Sequence, residues 1–183
     1  RDVFVAPSAL DVEQIRQVMS QGPLMLGDRL WAGWSMDEQS VGEVHDLSGH
    51  EHTARPLGTP QPLRESSGAA RGFDGQRCLV ADVPPLGESD FALGGWVRPE
   101  AEQTPWANLL SSHNNHGNTN LRGVSLEQDA AHTNRFYLIA GNGAGWMGTA
   151  LTTQLQADRW QHFAVVRRGT HVIHYLDGQV TAE

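Results

Sequence analysis

The chain has 183 residues, which is enough for one domain with a hydrophobic core, and all-β domains of this length usually remain single. Its formal net charge is −8 and it contains no lysine, so it offers no basic surface to follow a phosphate backbone, and nucleic acid is not expected as a partner. No window approaches the roughly 18 consecutive apolar residues that a membrane span requires.

The first segment, "VFVAPSALDVEQIRQVM", predicts a short strand, a turn and one helix. Val3–Val5 are β-branched or aromatic and favour an extended backbone. Asp11 is placed to cap the first turn of a helix, and Gln14, three residues later, can bond back to the cap. Gly22 and the proline after it end the helix. Apolar residues at helical spacing predict that one side of this helix packs against the rest of the domain.

The rest of the chain alternates short apolar runs with clusters of Gly, Pro, Asn, Asp and Ser, which is typical of many short strands joined by turns. Asp-Gly pairs between apolar runs favour tight hairpins. The sequence therefore predicts an all-β fold, a two-sheet antiparallel jelly roll or β-sandwich with one short N-terminal helix. The predicted strands cover 30–36, 44–47, 69–73, 78–81, 91–98, 106–112, 123–127, 135–140, 146–151, 160–167 and 171–176.

The run "DFALGGWVRP" is apolar on both faces, as expected of a strand inside a sandwich. Glycines in the middle of such a strand predict a close approach by another backbone. Trp34, Trp96 and Trp160 are predicted to fill the core, whereas Trp146, in a glycine-rich segment, is predicted to be the most exposed indole. The single cysteine, Cys78, is predicted to be a small buried strand residue.

Several segments follow one another in a familiar order: "LWAGWSMDE", "VHDLSGHEHTA", "AARGFDGQRCLVAD", "DFALGGWVRPE" and "RWQHFAVVRRGTHVIHYLDGQ". Together, over 30–183, they resemble the laminin-G-like, concanavalin A-like jelly roll domains of bacterial extracellular proteins. The resemblance implies an extracellular or cell-surface location and neighbouring domains of the same parent chain as partners.

Residues 1–29 resemble the strand and helix with which that family usually ends, placed here before the first strand. Members normally continue past "YLDGQ", so 30–183 looks like a domain that lacks its last strands. Either the chain begins with the tail of a preceding repeat, or its N-terminal strand replaces the usual last one. We favour the first origin, with the segment docked on this domain and Val3–Val5 paired beside the strand at Leu30–Met36.

The resemblance also implies a structural calcium ion near the junction of the first and last strands. The matching positions are Asp2, Asp37, Asp46 and Gly49, and oxygen ligands on turns suit calcium. The alternative is that these carboxylates only cap turns by bonding to nearby amides.

A polar loop, "SSHNNHGNTN", predicts a ligand-binding site. Asn and His side chains supply paired donors and acceptors, and Trp106 or Trp146 could add an apolar platform, which together suit a sugar ring. The predicted ligand-binding residues are Trp146, Trp106, His113, Asn114, Asn115 and His116. The histidines near "HDLSGHEH" lack the partners of a zinc site.

The sequence favours a non-catalytic module that recognises a glycan or protein within a larger extracellular protein. The alternatives are a structural spacer or assembly subunit without a ligand and an accessory part of a glycan-active enzyme. Glu127 and Asp129 come nearest to a catalytic acid pair, but they are interpreted as solvated turn residues at a strand end.

Overall fold

The computed structural model describes residues 1–38, 42–58, 61–65, 68–86, 89–112, 122–129 and 133–183. One α-helix, α1 (Val12–Gln21), and one 3₁₀ segment (Pro23–Arg29) precede most of the strands. The strands are β1 (Val3–Ala6), β2 (Ala32–Trp34), β3 (Arg55–Leu57), β4 (Gln61–Glu65), β5 (Gly68–Gly72), β6 (Cys78–Val80), β7 (Phe91–Val97), β8 (Asn108–Ser111), β9 (Arg122–Gln128), β10 (Arg135–Asn142), β11 (Trp146–Gln154), β12 (Gln161–Arg168), β13 (His171–Leu176) and β14 (Gln179–Ala182).

Within the described residues, the strands form two main antiparallel sheets and two small ribbons. The first sheet has six strands in the order β14-β13-β12-β7-β1-β2, and the second has four in the order β11-β10-β9-β8. The ribbons are β3-β6 and β4-β5. The prediction of an all-β, two-sheet antiparallel jelly roll is confirmed.

The two main sheets face each other across a core of large apolar side chains. β7 contributes Phe91 and Leu93 to this core, and the four-stranded sheet contributes Leu126, Phe136 and Leu138. Because side chains alternate along a strand, the residues between these positions point away from the core. The four-stranded sheet therefore has a second, outer face.

The other face of the six-stranded sheet is covered by α1. The Asp11 carboxylate accepts a hydrogen bond from the Gln14 amide, and the Gln14 side chain accepts one from the Asp11 amide, as predicted. Ile15 and Val18 of the helix are buried in one cluster with Ala164 of β12. Both faces of this sheet are thus buried, which explains why its central strands are apolar on both sides.

β1 lies in the interior of the six-stranded sheet, between β7 and β2. Val3 is opposite Trp34 and Val5 is opposite Ala32, so the predicted pairing with the strand near Leu30–Met36 is present. On its other side, Phe4 is opposite Gly94 of β7. A segment at the start of the chain therefore supplies a central part of the sheet.

Several local predictions are wrong. Residues 44–47 form no strand, only a bridge from Val44 to Ala54, because the chain turns at Asp46. Cys78 is exposed, since β6 lies in a small ribbon with an open face. Trp34 is buried as predicted, but Trp96 and Trp160 are only half-buried. The 3₁₀ segment and the strands β3, β4 and β14 are also absent from the prediction.

Within the described residues, no helix is both long enough and apolar enough to cross a membrane.

Candidate functional site

Asp46, one of the four predicted calcium ligands, is the centre of a hydrogen-bonded turn. Its Oδ1 accepts bonds from the amides of Gly33 (2.9 Å) and Ser48 (3.0 Å). Its Oδ2 accepts bonds from the Ser48 hydroxyl (2.5 Å) and the His52 amide (3.1 Å). Burial alone would raise the pKa of Asp46, but these hydrogen bonds outweigh it and hold that pKa below its usual value.

A carboxylate has about four acceptor positions, and these hydrogen bonds use them all at Asp46. A calcium ion at Asp46 would have to displace at least one of them. The Asp46 side chain therefore fits the alternative prediction, that it organises a turn. Gly49, with φ of 82°, belongs to the same turn.

Asp2 and Asp37 come together elsewhere, where β1 begins and β2 ends. The Asp2 amide donates to the Ser35 carbonyl oxygen at 3.1 Å, and the Ser35 hydroxyl donates to Asp37 at 2.5 Å. Burial raises the pKa of Asp2. The N-terminal ammonium and the Arg1 side chain lower that pKa in part, and the Asp37 carboxylate adds a smaller rise. These two carboxylates fit a hard cation better than Asp46 does.

The four predicted calcium positions thus divide into two pairs. Among the residues that the structure describes, no three His, Cys, Asp or Glu side chains are grouped to hold a metal ion. The calcium ion stays a prediction, which depends on Asp2 and Asp37. The histidines of the Asp46 turn give only a pair for zinc, with the rings of His50 and His52 6.0 Å apart.

Trp146 lies at one end of the four-stranded sheet. It is opposite Gly141, and Gly141 is opposite Gly123 near the start of β9. The segment between β8 and β9 leaves the sheet near this end, because the Ser112 amide donates to the Val124 carbonyl oxygen at 2.8 Å. The predicted ligand residues His113, Asn114, Asn115 and His116 belong to that segment and lie outside the described residues.

Trp106 lies at the opposite end and the opposite edge of the same sheet. It precedes β8, where the Gln128 amide donates to the Ala107 carbonyl oxygen at 2.8 Å. The two tryptophans therefore do not form one platform. Their exposure also differs from the prediction, since Trp106 is 54% exposed whereas Trp146 is half-buried.

The outer face of the four-stranded sheet carries a polar row that the sequence interpretation missed. The row runs across four strands in register, because Asn108 is opposite Glu127, Glu127 is opposite Tyr137, and Tyr137 is opposite Thr152. Their chain neighbours Leu126, Phe136 and Leu138 fill the core, so the row points outward. We call Asn108, Glu127, Tyr137 and Thr152 the outer row.

The sequence interpretation of Glu127 as a solvated turn residue is wrong. It lies within β9, is half-buried, and accepts a hydrogen bond from the Tyr137 hydroxyl at 3.2 Å. Burial and the Glu127 carboxylate raise the pKa of Tyr137 to about 12, so this hydroxyl keeps its proton at neutral pH. Asp129 is bound by Arg135, with 2.5 Å between its Oδ2 and the arginine Nη2.

The amide group of Asn108 is held in one orientation at the edge of the outer row. Its Nδ2 donates to the Trp106 carbonyl oxygen at 3.0 Å, and its Oδ1 accepts from the Ser125 hydroxyl.

The alternation in "GVSLEQ" and "RFYLIAG" was the signal that could have placed Glu127 and Tyr137 on one face.

The comparisons with known proteins agree with this fold. A family model described as the concanavalin A-like lectin/glucanases superfamily matches residues 72–183, more than half of the chain. Neither the curated proteins nor the solved structures gave a match. The matched residues include the whole four-stranded sheet and its outer row, whereas β1, α1 and β2 lie before them.

Proposed function

The chain belongs to the concanavalin A-like lectin/glucanases superfamily, and on this premise we propose that it is a non-catalytic recognition module that binds glycan. Its ligand site is the Trp146 end of the four-stranded sheet together with the outer row. The module belongs to a larger extracellular or cell-surface protein, in keeping with the family to which it is matched.

The observation that carries the proposal is the strand register at Trp146. It puts a half-buried indole at the end of the sheet from which the Asn- and His-rich segment leaves. Tyr137 of the outer row lies four residues before Gly141 on β10, about 13 Å along the strand. Two aromatic rings on one face, with hydrogen-bonding side chains beside them, suit the apolar and polar sides of sugar rings.

A glycan array probed with the purified chain tests this proposal. We expect specific hits that weaken in Trp146→Ala and in Asn115→Ala. Trp106→Ala is the matched control, because it removes the same side chain at the opposite end of the sheet. Thermal melting of each variant separates lost binding from lost folding. An array without hits, or equal losses in the two tryptophan variants, would refute the proposed site.

The absence of catalysis is part of the same proposal. Glycoside hydrolysis generally needs two carboxyl groups that flank the bond. On the described part of the outer face, Glu127 is half-buried beside Tyr137, and the nearest carboxylate along its strand, Asp129, is bound by Arg135. We expect no release of reducing sugar from any glycan that the array identifies.

A second candidate, an assembly subunit, is supported by the ribbon of β3 and β6. Leu57 is opposite Cys78 and Arg55 is opposite Val80 in this ribbon. Leu57 and Val80 are 64% and 54% exposed on one face. If this face joins chains together, light scattering will show an oligomer that Leu57→Asp dissociates, and the glycan array will stay empty.

A further inference from the structure

We propose that Glu127 and Tyr137 form a subsite that selects a sugar bearing a free amino group. This inference rests on the proposed function and specifies its ligand class. Its ligand is an oligosaccharide of hexosamine units whose nitrogen is not acetylated and therefore carries a proton in mildly acidic solution.

The first ground is that no cation of the described residues lies beside the Glu127 carboxylate. Among the described residues, the arginine ion pairs involve other acids, and the nearby Arg135 is taken by Asp129. The chain has no lysine and a net charge of −8. A half-buried carboxylate with one neutral hydrogen bond, from Tyr137, retains acceptor positions and negative charge for a ligand.

The second ground is the space above this pair. Among the described side chains, a Cβ atom built on Gly148, on the neighbouring strand β11, would meet Cε2 of Tyr137, at 4.0 Å. Asn108 and Thr152, at the two ends of the outer row, are both exposed. Because Gly148 has no side chain, it leaves the nearest edge of the Tyr137 ring uncovered, which favours a sugar ring beside Tyr137.

The third ground is the chemistry of the groups that converge there. An ammonium group has three donors and no acceptor, and the acceptors in the row are the Glu127 carboxylate and the oxygens of Asn108 and Thr152. The Asn108 side chain is already oriented by its bonds to Trp106 and Ser125. A hydrogen bond between charged partners is roughly twice as strong as a neutral one, so the amine is favoured over a hydroxyl at this position.

The test compares three oligosaccharides of equal length by calorimetry in mildly acidic solution: a glucosamine oligomer, its N-acetylated form and a glucose oligomer. We expect the glucosamine oligomer to bind about tenfold more tightly than the other two. In Glu127→Gln this preference should disappear, so that the glucosamine oligomer binds no more tightly than the glucose oligomer. Added salt should weaken the preference in the unaltered protein but have little effect in the variant.

Tyr137→Phe is the second variant, because it keeps the ring but removes the hydroxyl that holds Glu127. We expect the ratio between the affinities for the glucosamine and glucose oligomers to fall part of the way toward one. Thermal melting shows whether either variant has unfolded.

Any of the following four results would overturn the inference. If the three oligomers bind equally and binding still needs Trp146, the amine selectivity is wrong and the proposed function stands. If Glu127→Gln keeps the preference, the subsite is wrongly placed. If a lysine-rich peptide binds as tightly as the glucosamine oligomer and also needs Glu127, the ligand is a peptide. If no oligomer binds and the glycan array is empty, the proposed function fails as well.

Discussion

Gly94 lies so close to Phe163 that a Cβ atom on Gly94 would overlap the Phe163 carbonyl oxygen and lie 2.8 Å from the Cα atom of Ala164. Gly94 is in β7 and Phe163 is in β12, so two central strands of the six-stranded sheet approach each other there without room for a side chain. The glycine is required by this contact with the neighbouring backbone.

Gly94→Ala should therefore lower the free energy of unfolding by about 3 kcal/mol, since backbone atoms must move to admit the methyl group. Denaturant unfolding measures this change. Gly148→Ala is the matched control, because it is also a strand glycine and its added Cβ makes only an ordinary contact at 4.0 Å. If both variants lost the same free energy of unfolding, the close approach at Gly94 would not be the cause.

Asp46→Asn should destabilise the turn after Val44. One acceptor oxygen would become an amide nitrogen that faces amide or hydroxyl donors, at a cost of about 2 kcal/mol. Asp28→Asn, at an exposed position, should change little. In the original protein the folded pKa of Asp46 lies below its unfolded value, so this stabilisation is present at neutral pH and lost as pH falls below about 4. If Asp46→Asn were as stable as the original protein, the Asp46 carboxylate would not be what stabilises this turn.

His174 should make the free energy of unfolding depend on pH in a higher pH range than Asp46 does. It is fully buried between the sheets, bonded to the Thr153 hydroxyl at 3.0 Å, and burial lowers its pKa to about 4. The unfolded pKa is about 6.5, so between about pH 6.5 and 4 the unfolded chain binds the extra proton. The free energy of unfolding must then fall as pH falls through this window, by on the order of 3 kcal/mol for such a shift.

Urea unfolding at a series of pH values checks this expectation. His174→Gln should show a shallower fall in stability across the window, whereas His171→Gln, at the exposed first residue of the same strand, should keep the original slope. Some slope remains in His174→Gln, because burial also lowers the pKa of His162 to about 4. Identical slopes in the two variants would exclude His174 as the source.

Calcium binding is predicted to depend on Asp2 and Asp37. Calorimetry should give heat on adding calcium to chelator-treated protein, and the melting temperature should rise. Asp37→Asn should remove both effects, whereas Asp46→Asn should retain them, because the Asp46 oxygens are already used by four hydrogen bonds. No heat and an unchanged melting temperature would eliminate the ion.

Local chemistry in the sequence was sufficient to predict the features that depend on neighbours along the chain. Asp11 and Gln14 cap the helix from within one turn. Asp177 and Gly178 have positive φ angles, 49° and 72°, in the predicted hairpin after β13. The other Asp-Gly pair, Asp74-Gly75, forms no hairpin, because β5 and β6 on its two sides belong to different ribbons. β7 and β12 are apolar on both faces, which predicted strands inside a sandwich, because successive residues of a strand point to opposite sides.

The candidate site depended on contacts that local patterns do not contain. Alternation places Glu127 on one side of its strand, but only the packing of the two sheets decides that this side is the open one, and only strand register puts Tyr137 opposite it. In the same way, the donors around Asp46 come from Gly33 and His52 as well as from its own turn. The sequence thus determined the two-sheet architecture and the capped helix, whereas the tertiary structure decided which polar side chains meet, because strand pairing joins residues that are far apart in the chain.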